Sequence, residues 1–563
     1  MNHSIKDLEQ GSSSKENEQI EIKLQPADDD ERSTDDESYL NVIETKGGLK
    51  RSLKARHVQF ISIAGAIGTG LFISTGSVLS KCGPAPLLMG YTILCIFVWS
   101  IMNLLSEMVT YIPLPGRSTP YAMCLRYTGN KSAAFTEGLN LAYAQAILTP
   151  AEISAAAFIV SYWLDWNPAI WISIFLVLIV AINMCSSGTF GEIEFWIAAI
   201  KIITLTGLII VGVVIFFGGG PSQHGVLGFR YWKNPGSFKE FLVEGATGKF
   251  LAVLESTVKS GFAFVLSPEL ITCCAAEAED PRINLPKATE RFIYRLIFFY
   301  VCGALVIGII VPYNSSRLMS AINEGAQGAA ASPFVIGIQN AGIKVLNHIV
   351  NAAILTSAFS AGNSFMFGAS RNLHSMAVNG AIPRVFARCN RFGVPYYSVA
   401  AVAVVACLAY LTVSNGSSTA FTWLSNISTV SGFLSWIFIS ITYIRYRKAI
   451  AYHHMESRIT YRPPLQKIGA YFCVVIFTVI TLVNGFPVFF DFNAADFIAA
   501  YITVPIILVL YFGHAIWTKN WRLFAPPEEI DCITGLKEIE AEQAAYIPKK
   551  PRNIFERIWF WIA

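Results

Sequence analysis

The sequence predicts an all-α integral membrane protein with twelve transmembrane helices: two inverted five-helix repeats in which helices one and six are broken, plus two additional helices. Three observations lead there. Of 563 residues, 53% are hydrophobic and only 14% charged, whereas soluble domains carry about 25% charged residues. The apolar residues gather into runs that match the roughly 20 residues needed to cross a bilayer. Two of those runs are interrupted at mid-length by residues that weaken a helix, and broken helices in corresponding halves of a chain mark a secondary transporter.

Residues 1–56 are polar and rich in Asp, Glu and Ser, as in Asp28-Asp29-Asp30-Glu31. Such a composition cannot bury a core, so a disordered tail is expected. Apolar runs follow at about 58–79, 86–111, 134–163, 168–186, 193–217, 252–276, 292–313, 346–370, 397–413, 421–444, 470–490 and 496–517. They make a transporter domain over 57–517, with a second tail over 518–563. An even number of spans puts both tails on one side. Lys and Arg concentrate in alternate connections, at Lys50, Arg51, Lys54 and Arg56, at Arg117, Arg126 and Lys131, at Arg282, Lys287 and Arg291, at Arg384, Arg388 and Arg391, and from Arg445 to Lys467. By the positive-inside rule these connections and both tails are cytoplasmic. The 218–250 connection is the longest on the outside.

The first interrupted run contains Gly65-Ala66-Ile67-Gly68-Thr69-Gly70. Lipid supplies no replacement for lost backbone hydrogen bonds, so this segment must face protein or a polar cavity. The second, Ser260 to Leu270, contains Pro268, which lacks a backbone donor. Free N–H groups at a half-helix start suit a carboxylate and free carbonyls suit an ammonium. An amino acid presents both at one carbon, and Phe262, Phe264 and Trp423 are available to bound its side chain. Tight packing through small residues is the competing explanation for the glycines.

Ionisable groups inside spans are costly and point to function. Four stand out: Glu107, Glu152, Lys201 and Glu269. Glu107 lies near the inner end of span two, where pairing with a loop arginine is expected. Glu152 and Glu269 are candidates to line the pocket, holding a substrate amine or a proton. Lys201 interrupts span five, and a buried amine that binds and releases a proton as its surroundings alternate couples transport to protons without sodium.

Leu53-Lys54-Ala55-Arg56-His57, the Gly65 to Phe72 segment, and Phe190-Gly191-Glu192-Ile193-Glu194-Phe195-Trp196 leading to Lys201 resemble the fungal branch of the amino-acid, polyamine and organocation permeases. The resemblance covers about 48–545. Within that family, Gly228 to Gly236, Gly337 to Leu346 and Ser425-Asn426-Ile427-Ser428-Thr429 are most similar to proline permeases. The resemblance implies proton-driven proline uptake across the plasma membrane, with alanine, glycine and 4-aminobutyrate as further substrates. It implies that Ala66, Ile67, Gly68, Thr69 and Gly70 hold the substrate carboxylate and that Phe264, Ser267 and Glu269 lie at the amine. Lys201 then stands where sodium-coupled relatives bind their ion, near Ser357 or Ser360. Ser267 departs from the glycine expected before Pro268 and Glu269, which bears on selectivity.

Other classes fit less well. The net charge of +4 points to no nucleic-acid partner, and the eleven cysteines lack metal-ligand or disulfide spacing. No metal, no cofactor and no enzyme motif is expected. A broad or acidic amino-acid permease is the main alternative, and a sensor that scarcely transports is a further one. Lys6, Lys15 and Lys23 sit among acidic and Ser-rich residues, a setting for ubiquitin-ligase machinery to act on the tail.

Overall fold

The computed structural model describes residues 49–65, 67–114, 116–164, 166–221, 225–323, 332–343, 345–414, 417–545 and 553. Ala66, the three tail lysines and nearly all of the expected N-terminal tail lie outside them.

Helices account for all the regular structure among the described residues, apart from one isolated backbone bridge between Leu53 and Ala278. In chain order they are α1 (Ala55–Ala64), α2 (Thr75–Cys82), α3 (Pro84–Tyr111), α4 (Pro120–Thr128), α5 (Lys131–Val160), α6 (Pro168–Met184), α7 (Ser187–Phe216), α8 (Gly245–Ser260), α9 (Ser267–Ala275), α10 (Pro281–Leu296) and α11 (Cys302–Ile310). Then come α12 (Ser316–Asn323), α13 (Pro333–Asn340), α14 (Leu346–Val378), α15 (Tyr396–Ala406), α16 (Leu411–Ser414), α17 (Ser417–Tyr452), α18 (Gln466–Val483), α19 (Ala494–Tyr501), α20 (Thr503–Thr518) and α21 (Leu536–Ala545). Starts are set by caps that satisfy orphan backbone donors: Asn130 accepts from the Ala133 N–H, Asn167 from Ala169 and Ser186 from Thr189.

Each of the twelve apolar runs falls on one of these helices or on a broken pair. Among the described residues, eight helical segments are long and apolar enough by themselves to cross a membrane, and α19 with α20, bent by 47°, makes a ninth. The others fall short for physical reasons. The first run is divided between α1 and α2, and α6 is only 17 residues long. α14 carries Ser357, Ser360, Asn363, Ser364, Ser370, Arg371 and Asn372, all buried. Its polar atoms are turned toward neighbouring helices.

α5 and α14 pack along their lengths at the centre of the bundle. α7, α18 and α20 lie outside and expose Trp196, Ile203, Phe472, Val475, Val509 and Phe512. Such faces suit a hydrocarbon surround and are costly in water. The chain is a multi-pass membrane protein.

Both breaks occur where the glycines and polar residues sit, with one difference. The second spans Gly261 to Leu266: a 3₁₀ turn over Gly261–Ala263, then Leu266 in the left-handed region at φ 61°. Pro268 lies in the first turn of α9, where its missing N–H has no intrahelical acceptor to lose. The proline starts the lower half-helix and does not cause the break. After α20 the chain folds back: Ala525, Ile530, Cys532, Leu536 and Ile539 are buried in the main core, and Arg282 donates to Gln543. The segment through Ala545 is thus packed structure, whereas the sequence suggested a plain tail.

Candidate functional site

The two breaks meet. A Cβ added at Gly70 would lie 2.7 Å from the Ala263 Cα, so only glycine permits this approach of one backbone to the other. The phenol of Tyr300 donates to the Ala263 carbonyl at 3.0 Å and fixes the second break from the α10–α11 side. Neither Gly68 nor Gly70 has positive φ. Space requires them, and backbone conformation does not.

Three helices grip the first break. Lys201 on α7, 1% exposed, donates from Nζ to the Ile67 carbonyl at 3.0 Å. Ser357 on α14 donates to the same oxygen at 2.8 Å. Glu152 on α5 accepts from the Thr69 hydroxyl at 3.0 Å, and its second oxygen has no partner among the described residues. A Cβ at Gly68 would sit 2.9 Å from the Glu152 Oε1. The unwound backbone, an ammonium and a carboxylate therefore share one small region, with both charge signs available to a zwitterion.

Glu194 completes the network beneath Lys201. It is fully buried on α7, accepts from Ser360 and, at 3.0 Å, from Asn363. Asn363 in turn accepts from Asn183 at 2.9 Å. Ser360 thus serves Glu194, while Ser357 serves the break beside Lys201. Glu194 and Glu152 are the carboxylates whose charges act on the Lys201 ammonium. Sequence reasoning passed over Glu194 because it lies at the polar end of its apolar run. Its spacing of seven from Lys201, two turns on one helix face, was the available signal.

The remaining candidates divide. Ser267 donates to the Phe264 carbonyl at 2.8 Å, so its hydroxyl satisfies the break itself. Phe264 is buried and packs on Tyr300 and Tyr91, with ring centroids 4.4 and 5.6 Å away. Phe262 meets Phe421 edge-on at 5.7 Å. Trp423, two residues on, is 40% exposed, and Phe421 is the α17 ring at the break. Glu269 is wholly buried with neither oxygen partnered among the described residues.

Glu107 is paired, but with a helix residue: Arg447 on α17 donates to it at 2.9 Å and Tyr443 at 2.6 Å. Among the described residues no group of His, Cys, Asp or Glu has metal-binding geometry, and the cysteines described are free, Cys273 and Cys274 among them buried as packing groups.

Known proteins share this architecture and sequence. A probable proline-specific permease of Schizosaccharomyces pombe is 50% identical over 89% of this chain and 90% of its own length. A proline-specific permease of Emericella nidulans is 47% identical over 92% and 94%. A dicarboxylic amino acid permease of Saccharomyces cerevisiae is 41% identical over 84% and 78%. The crystal structure of a manganese transporter from Eremococcus coleocola shares the fold, with a TM-score of 0.53 at 12% identity, over 83% of this chain and 94% of that one. The amino acid permease family profile matches residues 57–526. With a profile over most of the length, and relatives near half identity around a bundle whose two broken helices touch, this chain belongs to the amino acid permease family.

Proposed function

We propose that this permease takes up proline across the plasma membrane together with protons, with alanine, glycine and 4-aminobutyrate as further substrates. The observation that carries the reading is the convergence of Lys201, Ser357 and Glu152 on the first break, directly beside its contact with the second. Substrate carboxylate is received by backbone N–H groups of residues 67–70, and its amine by the carbonyls of the second break and a carboxylate. Lys201 occupies the place of a cation bridging helices. When it loses its proton its hold on the Ile67 carbonyl weakens, and the first broken helix is released toward the inward-open arrangement. Twelve spans in two inverted repeats are part of the same proposal. The N-terminal arm and the refolded C-terminal segment lie at one end, where Arg51 donates to Pro113 and Arg282 to Gln543, which supports an even number of crossings and a common cytoplasmic side.

The proline-specific relatives support the substrate assignment. The dicarboxylic relative at 41% identity supplies the second reading, an acidic or broad range. Labelled proline uptake in a permease-deficient yeast, with unlabelled amino acids as competitors, separates them. Competition by glutamate as strong as by proline itself overturns the proline reading. Uptake too slow to measure, with the protein at the surface, favours a sensor.

A further inference from the structure

A second polar group lies nearer the cytoplasmic end, one helix turn below the second break, where α5, α9 and α17 converge. Glu137 on α5 is 1% exposed, and one of its oxygens accepts from the Ser435 hydroxyl of α17. Its other oxygen has no partner among the described residues, and neither has either oxygen of Glu269 on α9. Leu141, Ala144 and Leu148 of α5 pack in one cluster with Val265 and Leu266 at the head of α9, and a Cβ on Gly432 of α17 would strike Val265, so Glu137 and Glu269, each about one turn from these contacts, lie at the same junction. Gln145, two turns along the same face of α5, has both amide atoms buried without partners among the described residues, and lies over Gly368 of α14. The other titratable neighbours are the buried thiols of Cys124 from α4, beside Glu137, and of Cys273 from α9, beside Glu269. No ion pair to Glu137 or Glu269 is formed among the described residues.

Two buried carboxyls without a countercharge cannot both ionise, since each anion costs several kcal/mol to desolvate and repels the other. They titrate as a pair and keep at least one proton while closed to water. We propose that Glu137 and Glu269 form a shared proton site on the inner side of the pocket, through which the cotransported proton leaves for the cytoplasm. Gln145, lying between this pair and the first break, offers an amide N–H donor and a carbonyl acceptor that orient a water carrying the proton toward the pair, and itself gains and loses no proton. The pair holds one proton at rest. An arriving proton protonates the second carboxyl, and when the inner side opens water takes one proton away as hydronium, returning the pair to its resting state. The inference rests on the proton-coupled reading above and adds a residue to it.

The test is the shape of the proline uptake rate against external pH, with proton entry followed by an internal pH dye, in vesicles containing the full-length protein. In Glu137→Gln, the resting anion is no longer shared between two carboxyls and sits on Glu269 alone, so Glu269 takes up a proton more readily. The profile moves toward alkaline pH by up to about one pH unit, and Glu137→Asp restores it. Ser435→Ala removes a donor that favours the anion, so its profile moves toward alkaline pH. The shape is independent of how much protein folds, and where Glu137→Gln does not reach the membrane the Ser435→Ala shift decides. A wild-type protein that moves proline without protons overturns the coupled reading and this site with it. Coupled wild-type transport with unshifted profiles in the variants overturns the site alone.

Discussion

Lys201 and Ser357, from helices more than 150 residues apart in sequence, donate to one and the same acceptor, the Ile67 carbonyl, at 3.0 and 2.8 Å. A carbonyl has two lone pairs, so one oxygen ties α7 and α14 to the first break. A charged donor is the stronger of the two, so removing the Lys201 charge is expected to loosen this junction more than removing the Ser357 hydroxyl.

Lys201→Met keeps the length of the side chain and removes the charge. Accumulation of proline against its gradient in response to an imposed pH difference is expected to fall at least about tenfold, while exchange of internal for external proline persists. Surface expression is measured alongside. A well-expressed Lys201→Met that still accumulates proline removes Lys201 from the coupling role.

Gly70→Val is expected to abolish uptake by forcing the breaks apart, at about 1–3 kcal/mol of overpacking. Gly70→Ala already meets Ala263 backbone, whereas Gly68→Ala meets the movable end of the Glu152 side chain. Uptake should therefore fall further in Gly70→Ala than in Gly68→Ala at equal surface amounts; the reverse order shows that the contact between breaks is dispensable.

Arg447→Met leaves Glu107 buried without its cation. Breaking such a pair costs about 3–5 kcal/mol, and removing both charges costs much less. Thermal unfolding of the purified protein should show a large drop for Arg447→Met and partial recovery in the double variant with Glu107→Gln. Equal stability of all three forms contradicts the pairing.

The C-terminal segment is clasped by Arg126, which donates to the Asp531 carbonyl, to its carboxylate at 3.1 Å and to the Thr534 carbonyl. Burial by itself raises the Asp531 carboxyl; the Arg126 charge and the backbone N–H groups of Ile533 and Thr534 outweigh it and hold the group below its ordinary value. A lowered value adds stability above the unfolded-state pKa that disappears as pH falls through the folded one. Hydrogen exchange over 525–540 is expected to rise in Arg126→Gln at neutral pH, and in the wild type only on acidification below the ordinary carboxylate range.

Lys6, Lys15 and Lys23 are expected to receive ubiquitin. Changing all three to Arg should prolong residence at the surface after nitrogen is supplied; turnover at the wild-type rate assigns the signal elsewhere.

The amino-acid sequence by itself determined the all-helical membrane class, where the apolar runs fall, the two breaks, and Glu152 and Lys201 as residues to watch. Each of these is a local property: a run is long enough to cross lipid, a glycine weakens its own turn, and a charge in an apolar stretch is costly wherever the helix lies. Tertiary structure decided which groups face one another. Nothing near Glu107 names Arg447, 340 residues away, and nothing near Phe264 says that it turns to Tyr300 and Tyr91. Nor does the sequence reveal that Glu137, four residues into its run, meets Ser435. Such pairings depend on the axial register and rotation of helices packed from distant parts of the chain. The 3.6-residue period records which face of a helix is buried and carries no record of the face it is buried against.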